Sequence, residues 1–114
     1  MYAVVLILND LKKLNQVNKI FYEESCGATN MNSRGLGKIL LENNSEVPIF
    51  AGIRKFVEGD FPYNKTIISV IKSEEKKNRI TKRLVEELDI CDKPGIGFMF
   101  VVPVSECFGY KANI

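Results

Sequence analysis

Tyr2-Ala3-Val4-Val5-Leu6-Ile7-Leu8 is followed directly by Asn9-Asp10. A short apolar run rich in Val, Ile and Leu is too brief for a helix and reads as a buried strand. Asn9 or Asp10 then offers a side-chain oxygen to cap a helix. The spacing carries that helix to about Ser25, with Leu11, Leu14, Val17, Ile20 and Phe21 on one face. Lys12, Lys13, Asn15, Asn18 and Lys19 fall mainly on the other, and Gly27 supplies the stop.

The same grammar returns in the second half. Residues 66–71 are a β-rich run, and Ser73 caps a helix whose first turn holds Glu74 and Glu75, as the helix dipole favours. Ile80, Leu84, Val85 and Leu88 give it a core face; Asp92-Lys93-Pro94-Gly95 is expected to stop it, and residues 97–104 form the last strand. Another strand is expected from about Thr29, in the polar run Thr29-Asn30-Met31-Asn32. Between these halves, residues 42–63 show no sustained period and are punctuated by Asn43-Asn44-Ser45, Pro48, Gly52, Gly59 and Pro62. Inside them, residues 47–57 are apolar enough for Ile49, Phe50, Ile53, Phe56 and Val57 to line one side of a short helix. A connection this long in a small domain points to function. The order strand, helix, strand, long loop, strand, helix, strand predicts an α+β, ferredoxin-like βαββαβ domain spanning residues 1–114. Its antiparallel sheet carries both helices on one face.

Length and composition agree with one globular domain: 114 residues, 46% hydrophobic and 26% charged. A net charge of +2 is too small to argue for a general nucleic-acid binder or a membrane-surface protein. The absence of histidine removes Ser-His and Cys-His nucleophiles and histidine metal sites. Cys26, Cys91 and Cys107 lack a C-x-x-C pair and read as reduced, mostly buried thiols. The apolar start falls far short of a membrane span and has no basic region before it. Together these features predict a cytoplasmic protein without membrane insertion.

One pattern bears on assembly. A sheet with a wet face alternates apolar and polar residues. Val4-Val5-Leu6-Ile7-Leu8, Ile67-Ile68-Ser69-Val70-Ile71 and Phe98-Met99-Phe100-Val101-Val102 do not. Two helices cover one side, so the other would present more apolar surface than a monomer normally exposes. Burial by identical subunits in a closed ring or pair is expected; the alternative is that the long loop folds back over the sheet.

The chemistry of particular residues narrows the function. RNA recognition on such a sheet stacks bases on aromatics of the central strands, which the first and third runs lack. A phosphate-cradling loop with Arg just after the first strand is also missing, since Asn9-Asp10-Leu11-Lys12 stands there. Metal-tolerance proteins of this architecture are disfavoured by the lack of histidine. Serines, tyrosines and carboxylates are present, but no spacing gathers an acid/base pair, so an enzyme ranks last. Arg34-Gly35-Leu36-Gly37-Lys38 is more informative, because two glycines let backbone N–H groups approach an anion between two cations. It reads equally as a glycine-rich bend with solvated charges. Gly95-Ile96-Gly97, before the last strand, is either a second wall of one anion or nucleotide cleft or simply a helix stop and strand start.

Gly27-Ala28-Thr29 with Arg34-Gly35-Leu36-Gly37-Lys38 resembles the approach to the flexible T-loop of the nitrogen-regulatory P-II signal transduction proteins. Phe61-Pro62 resembles the same family. So does the run Gly95-Ile96-Gly97-Phe98-Met99-Phe100-Val101-Val102-Pro103-Val104, which is similar to its nucleotide-binding B-loop and final strand. The resemblance implies a homotrimer of ferredoxin-like subunits with sheets facing inward and an effector, an adenine nucleotide (ATP, ADP or AMP), in the clefts between subunits. It implies ligand contacts from Thr29, Gly35, Leu36, Gly37, Lys38, Gly95, Gly97 and Lys111. It also implies that residues 42–63 dock on a transporter or enzyme, and Ile49, Phe50, Arg54, Lys55 and Phe56 are the candidate contacts there. Arg54 and Lys55 otherwise read as a solvated face. Ile96 and Phe98 stand where the family's B-loop carries an acidic residue and a lysine, which leaves Lys93 or Lys111 as the substitute cation. The leading expectation is a non-enzymatic regulatory trimer; the alternative is a ligand-independent interaction scaffold of the same fold.

Overall fold

The computed structural model describes residues 1–36 and 63–110. Its elements are β1 (Tyr2–Leu8), a 3-10 turn (Leu11–Lys13), α1 (Leu14–Glu23), β2 (Thr29–Ser33), β3 (Asn64–Ile71), α2 (Glu74–Leu88) and β4 (Gly97–Pro103). The strands form one sheet in the order β2-β3-β1-β4, with every neighbouring pair antiparallel. This is the expected ferredoxin-like α+β arrangement. Both helices cover one face, where Val17, Ile20 and Phe21 of α1 and Ile80, Leu84 and Leu88 of α2 pack on Val4, Leu6, Leu8, Ile67 and Ile71. Val85, expected on that core face, is only half-buried.

Three helix boundaries depart from expectation, each for a local reason. The first helix does not start at Asp10. The Asn9 and Asp10 N–H groups both donate to the Ile96 carbonyl (2.9 and 3.2 Å), which pins the chain to the approach of β4. A tight 3-10 turn follows, with Asp10 Oδ1 accepting from the Lys12 N–H at 3.1 Å. Leu11 is left at the surface, 38% exposed. At its other end α1 is stopped by Ser25, not Gly27: Ser25 takes the left-handed conformation at φ 57°. The Cys26 N–H donates to the Phe21 carbonyl (2.9 Å) and the Ser25 N–H to that of Tyr22 (3.0 Å), a Schellman closure. Closing early lets Cys26 and Ala28 return to the core.

Helix α2 begins as expected, with Ser73 Oγ accepting from the Lys76 N–H at 3.0 Å. It ends at Leu88, before Asp92-Lys93-Pro94-Gly95, because Asp89 turns left-handed at φ 51° and Ile90 folds onto the core. The cysteines also correct the expectation of buried thiols. All three are free, but Cys91 is exposed in the turn after α2, and Cys26 and Cys107 are only partly buried.

The register separates the two faces of the sheet. Val5 lies between Ile68 and Phe100, Ile7 between Thr66 and Phe98, and Ala3 between Val70 and Val102. These side chains point away from the helices, and Phe98, Phe100 and Val102 are 57%, 45% and 40% exposed. Phe98 and Phe100 stack on each other, ring centroids 6.3 Å apart. After β4 the Val104 N–H donates to the Met1 carbonyl (3.0 Å), and the tail brings Gly109 and Tyr110 beside Ile68 and Val70. The expected apolar second face is therefore present. The long loop that would fold over it in the alternative reading lies outside the described residues. Among the described residues no helix is long and apolar enough to cross a membrane.

Candidate ligand cleft

The two glycine segments stand at one end of the sheet but on opposite edges. Asn32 pairs with Lys65, Lys65 with Leu8, and Leu8 with Gly97, so these four positions run across that end. Three strand spacings of roughly 4.8 Å put about 14 Å between the β2 edge and the β4 edge. Within one chain the two segments are therefore walls without a shared cleft.

On the β2 edge, the Thr66 hydroxyl donates to Ser33 Oγ (2.9 Å), which donates to Asn64 Oδ1. This chain of hydroxyls fixes the exit of β2 before Arg34 and Gly35. A Cβ at Gly35 would lie 4.0 Å from Asn64 Nδ2, so this position has room for a methyl. Leu36 projects from the surface, 71% exposed. Beside them a cavity of about 440 Å³ is lined by Leu11, Asn32, Ser33, Arg34, Tyr63 and Asn64.

On the β4 edge, each residue of Gly95-Ile96-Gly97 has a structural task. A Cβ on Gly97, whose φ is +153°, would lie 2.2 Å from the Ile7 carbonyl oxygen, so close pairing with β1 requires glycine there. Gly95 adopts φ 88°, and its carbonyl accepts from Asn9 Nδ2 at 3.1 Å. Ile96 is a core residue, 6% exposed. That explains the apolar side chain at one of the two departures from the resembled B-loop; the other, Phe98, serves the open face.

Thr29 belongs to a third place. It begins β2, four residues before Ser33, about 13 Å away at strand spacing. A cavity of about 510 Å³ opens beside it, lined by residues 25–29, Ile68, Val70, Lys76, Gly109 and Tyr110. Burial pushes the Cys26 thiol pKa up in its wall. Lys76 lines this cavity, and on a helix as charged as α2 nothing in the spacing marks it. The Schellman turn places the cavity there, and Ser25 gave no sign of that turn.

Behind this cavity the helices are tied by charge. Arg79 Nε donates to Glu24 Oε1 at 3.0 Å, Arg83 Nη1 to Glu24 Oε2 at 3.1 Å, and Arg83 Nη2 to Glu23 Oε1 at 2.6 Å. The Arg79 guanidinium, with Arg83, holds the Glu24 carboxyl below its usual pKa against the opposing pull of burial. Among the described residues no group of three or more acidic, thiol or imidazole side chains is placed to hold a metal. Gly37, Lys38 and Lys111 lie outside the described residues, as do the docking candidates Ile49, Phe50, Arg54, Lys55 and Phe56.

Comparison with known proteins adds one fact about the fold. No family model and no curated protein matches the chain. Among solved structures, the crystal structure of Arabidopsis thaliana PII bound to citrate aligns with a TM-score of 0.55 and 19% identity. The alignment covers 91% of this chain and 77% of the Arabidopsis chain. The fold is PII-like. At that identity the likeness speaks for architecture alone, and the ligand of the Arabidopsis protein is a property of that protein.

Proposed function

We propose that the chain is a non-enzymatic, PII-like regulatory protein. In this reading it is one domain over residues 1–114, assembled as a homotrimer, binding an effector between subunits and docking on a regulated transporter or enzyme through residues 42–63. One observation carries the reading: the glycine walls share an end of the sheet yet lie on opposite edges. In a closed ring each subunit offers one patch to an unlike patch of its neighbour. A ring built on the open faces would bring Gly35 of one copy toward Gly95 and Gly97 of the next and so complete the cleft. The exposed Phe98, Phe100 and Val102 supply the apolar surface for such packing. The effector class is an adenine nucleotide, contacted by Thr29, Gly35, Leu36, Gly37, Lys38, Gly95, Gly97 and Lys111, with Ile49, Phe50, Arg54, Lys55 and Phe56 on the docking segment. Three free cysteines suit the reducing cytoplasm.

Sedimentation equilibrium of the full chain, followed by calorimetric titration with ATP, ADP and AMP, tests this. A mass three times that of the chain with saturable binding is expected. A monomer overturns the assembly. A trimer that ignores all three nucleotides favours the second reading, a ligand-independent scaffold. That reading draws on Ile96 lying in the core and Phe98 on the open face, which leave the β4 wall without the charge pair of the resembled B-loop.

A further inference from the structure

We propose that Asn9 is a positioning residue of the β4 wall, holding two carbonyls inward so that the Gly97 N–H faces an anionic group of the effector. The inference rests on the nucleotide reading and adds to it a residue outside the glycine motifs. Asn9, a helix-cap candidate in the sequence, uses its side chain elsewhere: half-buried, its Nδ2 donates to the Gly95 carbonyl at 3.1 Å. Its backbone N–H and that of Asp10 donate to the Ile96 carbonyl at 2.9 and 3.2 Å. These three donors engage the two carbonyls of this wall that would repel an anion, and Asn9 supplies two of the three. A trans peptide is planar, so turning the Ile96 carbonyl toward β1 turns the Gly97 N–H the opposite way. The strand ladder agrees. The bonds from Val104 to Met1 and from Asn9 to Ile96 join directly opposite residues, so the bonded pairs on β4 fall at even-numbered positions. Gly97, opposite Leu8, falls between two of them, and its N–H lies on the outer edge of the last strand in the sheet. Residues 95–98 carry no charged side chain. A backbone donor held in place is what this wall offers an anion.

Amide exchange and nucleotide titration of the full chain test this with two variants. Asn9→Asp keeps the shape and replaces the donor by an acceptor, and Asn9→Ala removes both. In each, the Asp10 and Ile96 amides should exchange several-fold faster while the Leu6 and Ile67 amides keep the parent's rates. Affinity for the tightest binder among ATP, ADP and AMP should fall about tenfold, the scale of one hydrogen bond to a charged group, with the sedimentation mass unchanged. Asn9→Asp should lose more than Asn9→Ala, since its carboxylate would face the Gly95 carbonyl. Parent-like exchange at Asp10 and Ile96 would overturn the role of Asn9, and so would faster exchange with parent-like affinity, which would put the wall outside the cleft. A parent chain indifferent to all three nucleotides defeats the nucleotide reading instead, and the exchange rates alone then decide whether Asn9 holds the wall.

Discussion

The two faces of β1 have nearly the same composition and opposite fates. Val4, Leu6 and Leu8 are fully buried under the helices, while Val5 and Ile7, one residue away in each case, lie on the face without helices and are only partly covered. β4 is starker, with Phe98 and Phe100 about half exposed. Hydrophobicity thus specifies that a face must be covered; the connections decide what covers it. Here the right-handed crossovers spend both helices on one side. The same sheet is a finished core on that side and an unfinished contact on the other.

A matched pair of truncations breaks or sharpens this contrast. Leu6→Ala opens a cavity in a close-packed core and should cost about 3–4 kcal/mol in urea unfolding. Ile7→Ala should cost about 1 kcal/mol in a lone chain, because only part of that side chain leaves water. If copies seat on the open face, the Ile7→Ala cost rises with protein concentration whereas the Leu6→Ala cost does not. Equal, concentration-independent costs would mean that the open face is already covered within one chain.

A second comparison concerns glycines. Gly97→Ala drives a methyl into the Ile7 carbonyl oxygen and should cost about 2–3 kcal/mol, since two paired backbones must separate. Gly27→Ala meets nothing within 4 Å and should be neutral or slightly stabilising in thermal unfolding. A tolerated Gly97→Ala would show that β4 can shift away from β1, and the tight edge described for the cleft would be wrong.

These pairs mark where the sequence was readable. β1 and the Ser73 cap were legible because each is written locally, in a run of apolar residues or in one oxygen placed before a helix. Ser25 was not, because a serine with positive φ goes against its own preference and is held there by Cys26 and Ala28 seeking the core. Gly97 was legible as a glycine with a purpose, but the Ile7 carbonyl that demands it is 90 positions away, and no local rule supplies that contact. Lys76 stood unmarked among the polar residues of α2, since a cation gains meaning only from what surrounds it. Gly35, Gly95 and Gly97 could be chosen from composition; that they occupy opposite edges follows from the strand order.

The smallest effect probes the helix layer that finishes one face. Glu24 holds a pKa below its ordinary value through Arg79 and Arg83. A carboxylate depressed on folding contributes stability above its unfolded pKa and loses it as pH falls through the folded value. The arginines are substantially exposed, 56% for Arg79 and 38% for Arg83, so solvent screening keeps the contribution to about 1 kcal/mol or less. Glu24→Gln should therefore lower stability by that amount near pH 7. The gap to the parent chain should shrink below about pH 4 as the parent's own carboxyl takes up its proton. Added salt should narrow the gap at neutral pH through the same charges. A gap that persists unchanged at pH 3 and in high salt would assign Glu24's role to packing between α1 and α2, and the ionic tie would then contribute nothing to the closed face.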